Sequence, residues 1–325
     1  MRPHMKPVLL VSECLAGVRC RYDGSSAEDR FVRRLMPFCE VRTACPETGI
    51  GLGVPRPPIR LVTDGSGGAL LVQPSTGMDL TAAMSAFCRQ VLSDPGSLDG
   101  AVLKSRSPSC GISDARVFSG ADGPARAGTG PGIFGRAVLE AMGGRPVIHE
   151  GRLSNLRLRE HFMTSLFTLA RFRSAERECS ERRSLGPLVS FHASAKLLLS
   201  AYNREEGRRM GRLVADGGPG AESAYRAALV RALARPLRTG RAVDALMHAF
   251  GYFKRDLSSA EKALFLDSLE DFGAGRTAMG IPGALIRSWI VRFGTAYLDD
   301  QIIFDPYPPA LAGTEDSARG AAPPR

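Results

Sequence analysis

The run Val8-Leu9-Leu10-Val11-Ser12-Glu13-Cys14 sets a pattern that the chain repeats twice: a short apolar stretch, then a cysteine just beyond it. Phe38-Cys39-Glu40-Val41 precedes Ala44-Cys45-Pro46-Glu47, and Gly100-Ala101-Val102-Leu103 precedes Lys104-Ser105-Arg106-Ser107-Pro108-Ser109-Cys110. Apolar runs of four or five residues, separated by segments of helical length, read as buried strands of a parallel sheet. In an open parallel sheet the loops at the carboxyl ends of the strands form the ligand crevice. Three thiols distant in sequence are therefore expected at one mouth, an arrangement that points to a metal or a reactive centre.

Outward from these strands, the first half alternates apolar runs, glycine-rich turns and helical stretches, the mark of an α/β sheet. Helices are expected over 30–38 and 81–92, a hairpin joins 59–62 to 69–72, and 146–148 reads as a last strand. The glycine-rich stretch 117–135 is expected to wrap the site as a loop, and a helix restarts at Arg136. Beyond Glu150 glycine thins out and apolar residues recur at helical spacing, so the second half reads as all-helical. One long helix is expected over 185–214, and Ser258 with Glu261 forms a capping pattern for another. The fold class is thus a Rossmann-like three-layer α/β domain with a mainly parallel sheet over 1–150, an all-α domain over 151–312, and a disordered tail over 313–325.

The 325 residues allow two cores. No apolar run approaches the roughly 18 residues of a membrane span, and Met1–Lys6 leads into too short an apolar stretch for a secretory signal. The chain is read as cytoplasmic, with no membrane partner. Seven cysteines in a reducing compartment argue for metal binding or catalysis rather than disulfides. Cys39, Cys88 and Cys179 carry no motif and read as inert buried thiols. The net charge of +10 favours an anionic partner, nucleic acid first. That charge is uneven, because residues 151–260 hold 20 Lys and Arg against 10 Asp and Glu.

Cys14 and Cys20 stand in one glycine-containing loop, Cys14-Leu15-Ala16-Gly17-Val18-Arg19-Cys20, with a gap wider than the two-residue spacing of zinc ribbons. No histidine lies near any of the four motif cysteines. By residue type alone, an all-thiolate iron–sulfur cluster, a zinc ion and a metal-free catalytic thiol all remain open. Gly49-Ile50-Gly51-Leu52-Gly53 lacks the strand-to-helix context and following lysine of a phosphate loop, and reads as a tight turn.

With Cys14-Leu15-Ala16-Gly17, Arg21-Tyr22-Asp23-Gly24, Cys45-Pro46-Glu47, Pro55-Arg56-Pro57-Pro58 and Lys104–Gly111 in this order, the first half resembles the thiouracil desulfidase family. Phe191–Leu199, Leu246–Lys254 and Glu261–Asp271 make the second half resemble the helical module fused to it in two-domain bacterial desulfidases of tRNA 4-thiouridine. The resemblance implies a [4Fe-4S] cluster on Cys14, Cys45 and Cys110 with its fourth iron open. Cys20 is then a neighbour counted with the catalytic groups; ligation by Cys20 would close the cluster. Glu47 is the expected activator of water, and Ser107 or Ser105 holds or relays the proton. Lys104 and Arg106 are expected to offset cluster charge or bind phosphate, and Tyr22 to stack on a base. His192, Lys196 and the arginines at 204, 208, 209 and 212 are expected to dock tRNA. Three readings compete with this one: desulfuration of free thiouracil or thiolated nucleotides, a non-catalytic iron–sulfur protein that senses redox state or moves electrons while bound to RNA, and a zinc-stabilised RNA-binding protein. No protein partner is implied.

Overall fold

The computed structural model describes residues 4–65, 68–120 and 125–313. The chain divides into two compact units: one takes the described residues up to Ala170 together with those from Pro308 onwards, the other Arg171–Tyr307.

The first unit is built on strands β1 (Val8–Ser12), β2 (Glu40–Ala44), β6 (Gly100–Leu103) and β9 (Val147–His149), in the order β2-β1-β6-β9. All neighbours in this sheet run parallel. β1 and β6 lie at its centre and every residue of both is buried, which is why they read as continuous apolar runs. β2 is an edge strand and exposes Glu40 and Arg42, which is why its apolar signal is weaker. Asp99 pins the start of β1: its carboxylate accepts from Val8 N–H at 2.8 Å, and its own N–H donates to Val8 C=O at 2.8 Å.

A second sheet of strands β3 (Arg60–Thr63), β4 (Ala69–Gln73), β5 (Met78–Asp79), β7 (Ala115–Phe118) and β8 (Arg126–Gly130) has the order β5-β4-β3-β7-β8. The expected hairpin is β3–β4. The stretch expected to be a loop over 117–135 is largely regular instead: β7 and β8 pair antiparallel, and helix α4 (Ile133–Met142) begins within it. Gly132 and Gly135 in this stretch serve close approach of backbone to backbone rather than looping, as described below. Helices α1 (Arg30–Leu35), α2 (Pro46–Gly49) and α3 (Thr81–Val91) complete the connections, and α3 and α4 supply Met84, Cys88, Phe134, Val138 and Met142 to the core.

Helix α5 (Leu156–Arg182) follows, 27 residues long. In the second unit, the single helix expected over 185–214 is two: α6 (Gly186–Tyr202) and α7 (Arg204–Asp216). Asn203 breaks it, with extended backbone at φ −155°, and its side chain caps α7 by accepting from the N–H groups of Glu205 and Glu206 at 3.2 Å. Helices α8 (Ala221–Ala232), α9 (Thr239–Phe250), α10 (Ser259–Gly273) and α11 (Gly280–Phe293) follow, and Ser258 and Glu261 make the expected capping box. Aromatic rings fill this core: Phe172 stacks on Tyr225 at 5.3 Å, and Phe250, Phe265 and Trp289 meet at 4.7–6.0 Å. Among the described residues no helix is long and apolar enough to cross a membrane. Of the expected tail, residues 314–325 lie outside the described residues.

Candidate metal centre

Three loops leave the carboxyl ends of β1, β2 and β6, on the two sides of the point where strand order reverses. They surround a cavity of about 290 Å³ in the first unit that Cys14, Cys20, Cys45 and Cys110 all line. After β1 the chain makes one tight turn over Glu13–Ala16, closed by Gly17 at φ +97°, a left-handed conformation suited to glycine. This turn buries Cys14. After β2, Cys45 immediately precedes α2, and its carbonyl accepts from Gly49 N–H at 2.9 Å. After β6, the loop from Lys104 to Cys110 is tied to β1 by Lys104 N–H donating to the Ser12 hydroxyl at 3.0 Å.

The Cys110 loop is backed by the start of α4. Gly132 N–H donates to Gly111 C=O at 2.8 Å and Gly135 N–H to Ser109 C=O at 2.9 Å. A Cβ at Gly132 would meet Ser109 O at 2.4 Å, and one at Gly135 would meet Gly111 O at 2.1 Å. Both positions need glycine because backbone approaches backbone there.

Glu47, two residues past Cys45, is held from both sides. Arg56 donates to its Oε2 through Nε at 2.9 Å and Nη2 at 2.6 Å, and Ser109 Oγ donates to its Oε1 at 2.7 Å. The guanidinium is almost wholly buried and also donates to the carbonyls of Gly53 and Cys20, at 3.1 and 2.9 Å. Ser109 Oγ lies 2.9 Å from Ser107 Oγ. A carboxylate only accepts, so the single Ser109 hydroxyl proton goes to Glu47, and Ser107 is the donor in the serine pair. Ser107 Oγ in turn accepts from the N–H groups of Ser109 and Cys110, at 3.3 and 3.1 Å. The result is an ordered chain, Ser107 to Ser109 to Glu47, ending on a fixed carboxylate.

Ser105 belongs to a different network. Its hydroxyl and N–H donate to Glu150, at 2.6 and 2.8 Å, and Lys104 forms an ion pair with the same carboxylate. Burial disfavours the Glu150 anion, but the bonds from Lys104 and Ser105 outweigh it and hold this carboxyl below the usual range. Arg106 is exposed at the cavity wall with φ +57°, a strained conformation for any residue other than glycine. Tyr22 is 44% exposed at the cavity rim, under Arg21 at 5.8 Å.

The thiols share one environment. Burial pushes Cys14 up to about 11, with Cys45 adding to the rise. Burial likewise raises Cys110 and Cys20, and Cys45 adds to both. Three buried thiols that hold their protons, gathered with half-buried Cys45 at one cavity, make sense as ligands that ionise on meeting a cation. An all-sulfur set with no imidazole suits a soft centre, an iron–sulfur cluster above all. Cys14, Cys20, Cys45, Cys110, Glu47, Ser105, Ser107, Lys104, Arg106 and Tyr22, all singled out from the sequence, are thus brought to one cavity. His192 and Lys196 lie on α6 in the second unit, where His192 Nδ1 is 3.0 Å from the Tyr225 hydroxyl and burial, with Lys196, lowers its pKa. The sequence reading passed over Ser109, which reads as a turn residue between Pro108 and Cys110, and Glu150, whose partners lie 45 and 46 positions away.

The chain belongs to the 2-thiouracil desulfurase family, which residues 9–150 match. Residues 196–308 match a second family, described as a protein of unknown function (DUF1722). Among relatives, the uncharacterized protein YbbK of Bacillus subtilis (strain 168) is 30% identical over 46% of this chain and 99% of its own length. The uncharacterized protein YbgA of Escherichia coli (strain K12) is 26% identical over 38% of this chain and 76% of its own. A solved structure of TudS, a [4Fe-4S]-dependent thiouracil desulfidase, is 29% identical, covers 48% of this chain and 98% of its own, and superposes with a TM-score of 0.39.

Proposed function

We propose that this protein is a tRNA 4-thiouridine desulfidase, replacing the thiocarbonyl sulfur by the oxygen of water to leave uridine. The observation that carries this reading is the meeting of four thiols and a hydrogen-bonded Ser107–Ser109–Glu47 chain in one cavity, in a chain of the 2-thiouracil desulfurase family. Cys14, Cys45 and Cys110, one from each strand-end loop, would hold a [4Fe-4S] cluster. Such a cluster with three protein ligands supplies an open iron, a soft Lewis acid for the sulfur of a thiocarbonyl.

The residues of the chain do the rest. Exchange of sulfur for water oxygen changes no oxidation state but must move protons from water to departing sulfide. Ser107 Oγ, half-buried at the cavity, is the accessible end of the proton path, and Ser109 Oγ is fully buried in its middle. A water that displaces the longer of the two bonds accepted by Ser107 Oγ, that from Ser109 N–H at 3.3 Å, loses its proton into this chain towards Glu47. The same chain run in reverse returns the proton to the departing sulfide, while Arg56 fixes the carboxylate so that little reorganisation accompanies the transfer. Lys104 and Glu150 hold Ser105 and the loop in place rather than joining that path.

Support for tRNA as substrate comes from charge. The arginines at 204, 208, 209 and 212 are placed together on α7 and all four are exposed, and the second half of the chain carries most of the +10 net charge. Phosphate contacts of this kind position an RNA without reading its sequence. The test is anaerobic loading with iron and sulfide, then mass spectrometry of nucleosides from treated tRNA, with free 4-thiouracil in parallel. Conversion of 4-thiouridine to uridine in intact tRNA at far higher kcat/KM than for the free base is expected. An intact cluster with unchanged 4-thiouridine overturns the reading.

A further inference from the structure

Cys20 is the thiol that the proposed cluster leaves over, and Glu13 is the carboxylate at the cavity without a described role. The ligand atoms of Glu13, Cys20 and Cys45 all lie within 4.8 Å of one another, and Cys14 and Cys110 fall outside this grouping although they line the same cavity. That spacing belongs to one ion, not to the corners of a cluster. Four-coordinate zinc with Zn–S of about 2.3 Å and Zn–O of about 2.0–2.2 Å sets neighbouring ligand atoms roughly 3.5–4 Å apart. A small closure of the three groups reaches it.

We propose that Glu13, Cys20 and Cys45 form a second, mononuclear site for a thiophilic divalent cation of the zinc type. Because it shares Cys45, this site excludes the cluster. Three further observations point the same way. Among the described residues, no hydrogen bond or ion pair engages the Glu13 carboxylate, whereas Glu47 and Glu150 are each held by a cation and a serine. Cys20 and Cys45 are already in contact, with Cys45 Sγ 3.8 Å from the Cys20 carbonyl. The Cys20 backbone is fixed by Arg56, so the thiol is preorganised. Two thiolates and one carboxylate leave a fourth position for water, and binding releases the two thiol protons. The site thus gives the cluster-free protein a way to hold Cys45 and Cys20 as metal thiolates, and loading of the cluster requires that ion to leave.

The site itself does not depend on the desulfidase reading; only the competition does. The experiment titrates reduced, iron-free protein with Zn²⁺ against a chromophoric chelator, and with Co²⁺ to read thiolate-to-metal charge-transfer absorption. Wild type is expected to bind one ion. Cys20→Ser and Glu13→Gln are expected to weaken binding at least tenfold, with the cobalt band about halved in Cys20→Ser and kept in Glu13→Gln. Cys110→Ser is expected to bind zinc as wild type does. Equal binding by wild type and Cys20→Ser, or equal loss in Cys110→Ser, overturns the proposal. Should Cys20→Ser fail to fold, Glu13→Gln set against Cys110→Ser decides it. In the second arm, zinc-loaded wild type is exposed to iron and sulfide; slower cluster formation than in zinc-free protein is expected, and equal rates refute the competition. Failure of cluster formation in every sample would instead count against the proposed function and leave the zinc result standing.

Discussion

The cavity of the first unit and the basic face of α7 in the second both gather charge, and they treat it in opposite ways. Around the cavity, Glu47 is bound by Arg56 and Ser109, and Glu150 by Lys104 and Ser105. On α7 no ion pair is seen to Arg204, Arg208 or Arg212 among the described residues, and all three are exposed. Chemistry at one bond needs donors and acceptors fixed before the reaction, which is what buried pairs provide. A grip on a phosphate backbone needs cations free to adjust to it. On the proposed function the contrast would separate what each unit contributes, and each side of it is open to measurement.

The largest expected effect is at the thiols. Serine at Cys14, Cys45 or Cys110 should abolish cluster formation and desulfuration while tRNA binding, measured by filter retention, stays within about twofold of wild type. Joint loss of binding would break the division of labour. Next comes the proton path: Ser109→Ala should lower kcat about 10²-fold with KM and cluster absorption unchanged, whereas Ser105→Ala should cost only a few-fold. The reverse ranking would move the path to Glu150. Replacing Arg208, Arg209 and Arg212 with glutamate should raise KM for tRNA about tenfold and flatten its dependence on salt, leaving turnover of free 4-thiouracil as it was. A smaller effect concerns His161, whose pKa burial lowers to about 4. The unfolded chain binds this proton near pH 6.5, so stability is full above that pH and falls as pH drops from about 6.5 towards 4. His161→Gln should flatten that part of the curve of unfolding midpoint against pH.

How far the sequence disclosed this depends on the kind of signal. β1 and β6 were legible because a central parallel strand is apolar on both faces, and the loops after them carried the cysteines. The break at Asn203 was legible in principle, since an asparagine followed by Glu205 and Glu206 is a helix start, but the apolar spacing on either side hid it. The role of Gly132 and Gly135 was not, because a glycine that admits a neighbouring backbone looks like one that opens a loop. Ser109 and Glu150 were hidden for a different reason. Their partners are 62 and 46 positions away, and no local pattern encodes such pairings.

Leu311 lies wholly buried in the first unit, where Arg34 donates to its carbonyl at 2.9 Å and Arg159 donates to that of Gly313 at 2.7 Å. The catalytic body is therefore discontinuous along the polypeptide, and its last stitch is translated after the entire helical insert. On the ribosome the cysteine-bearing sheet emerges first yet is sealed last, so a nascent chain halted anywhere before this stitch leaves it unfinished.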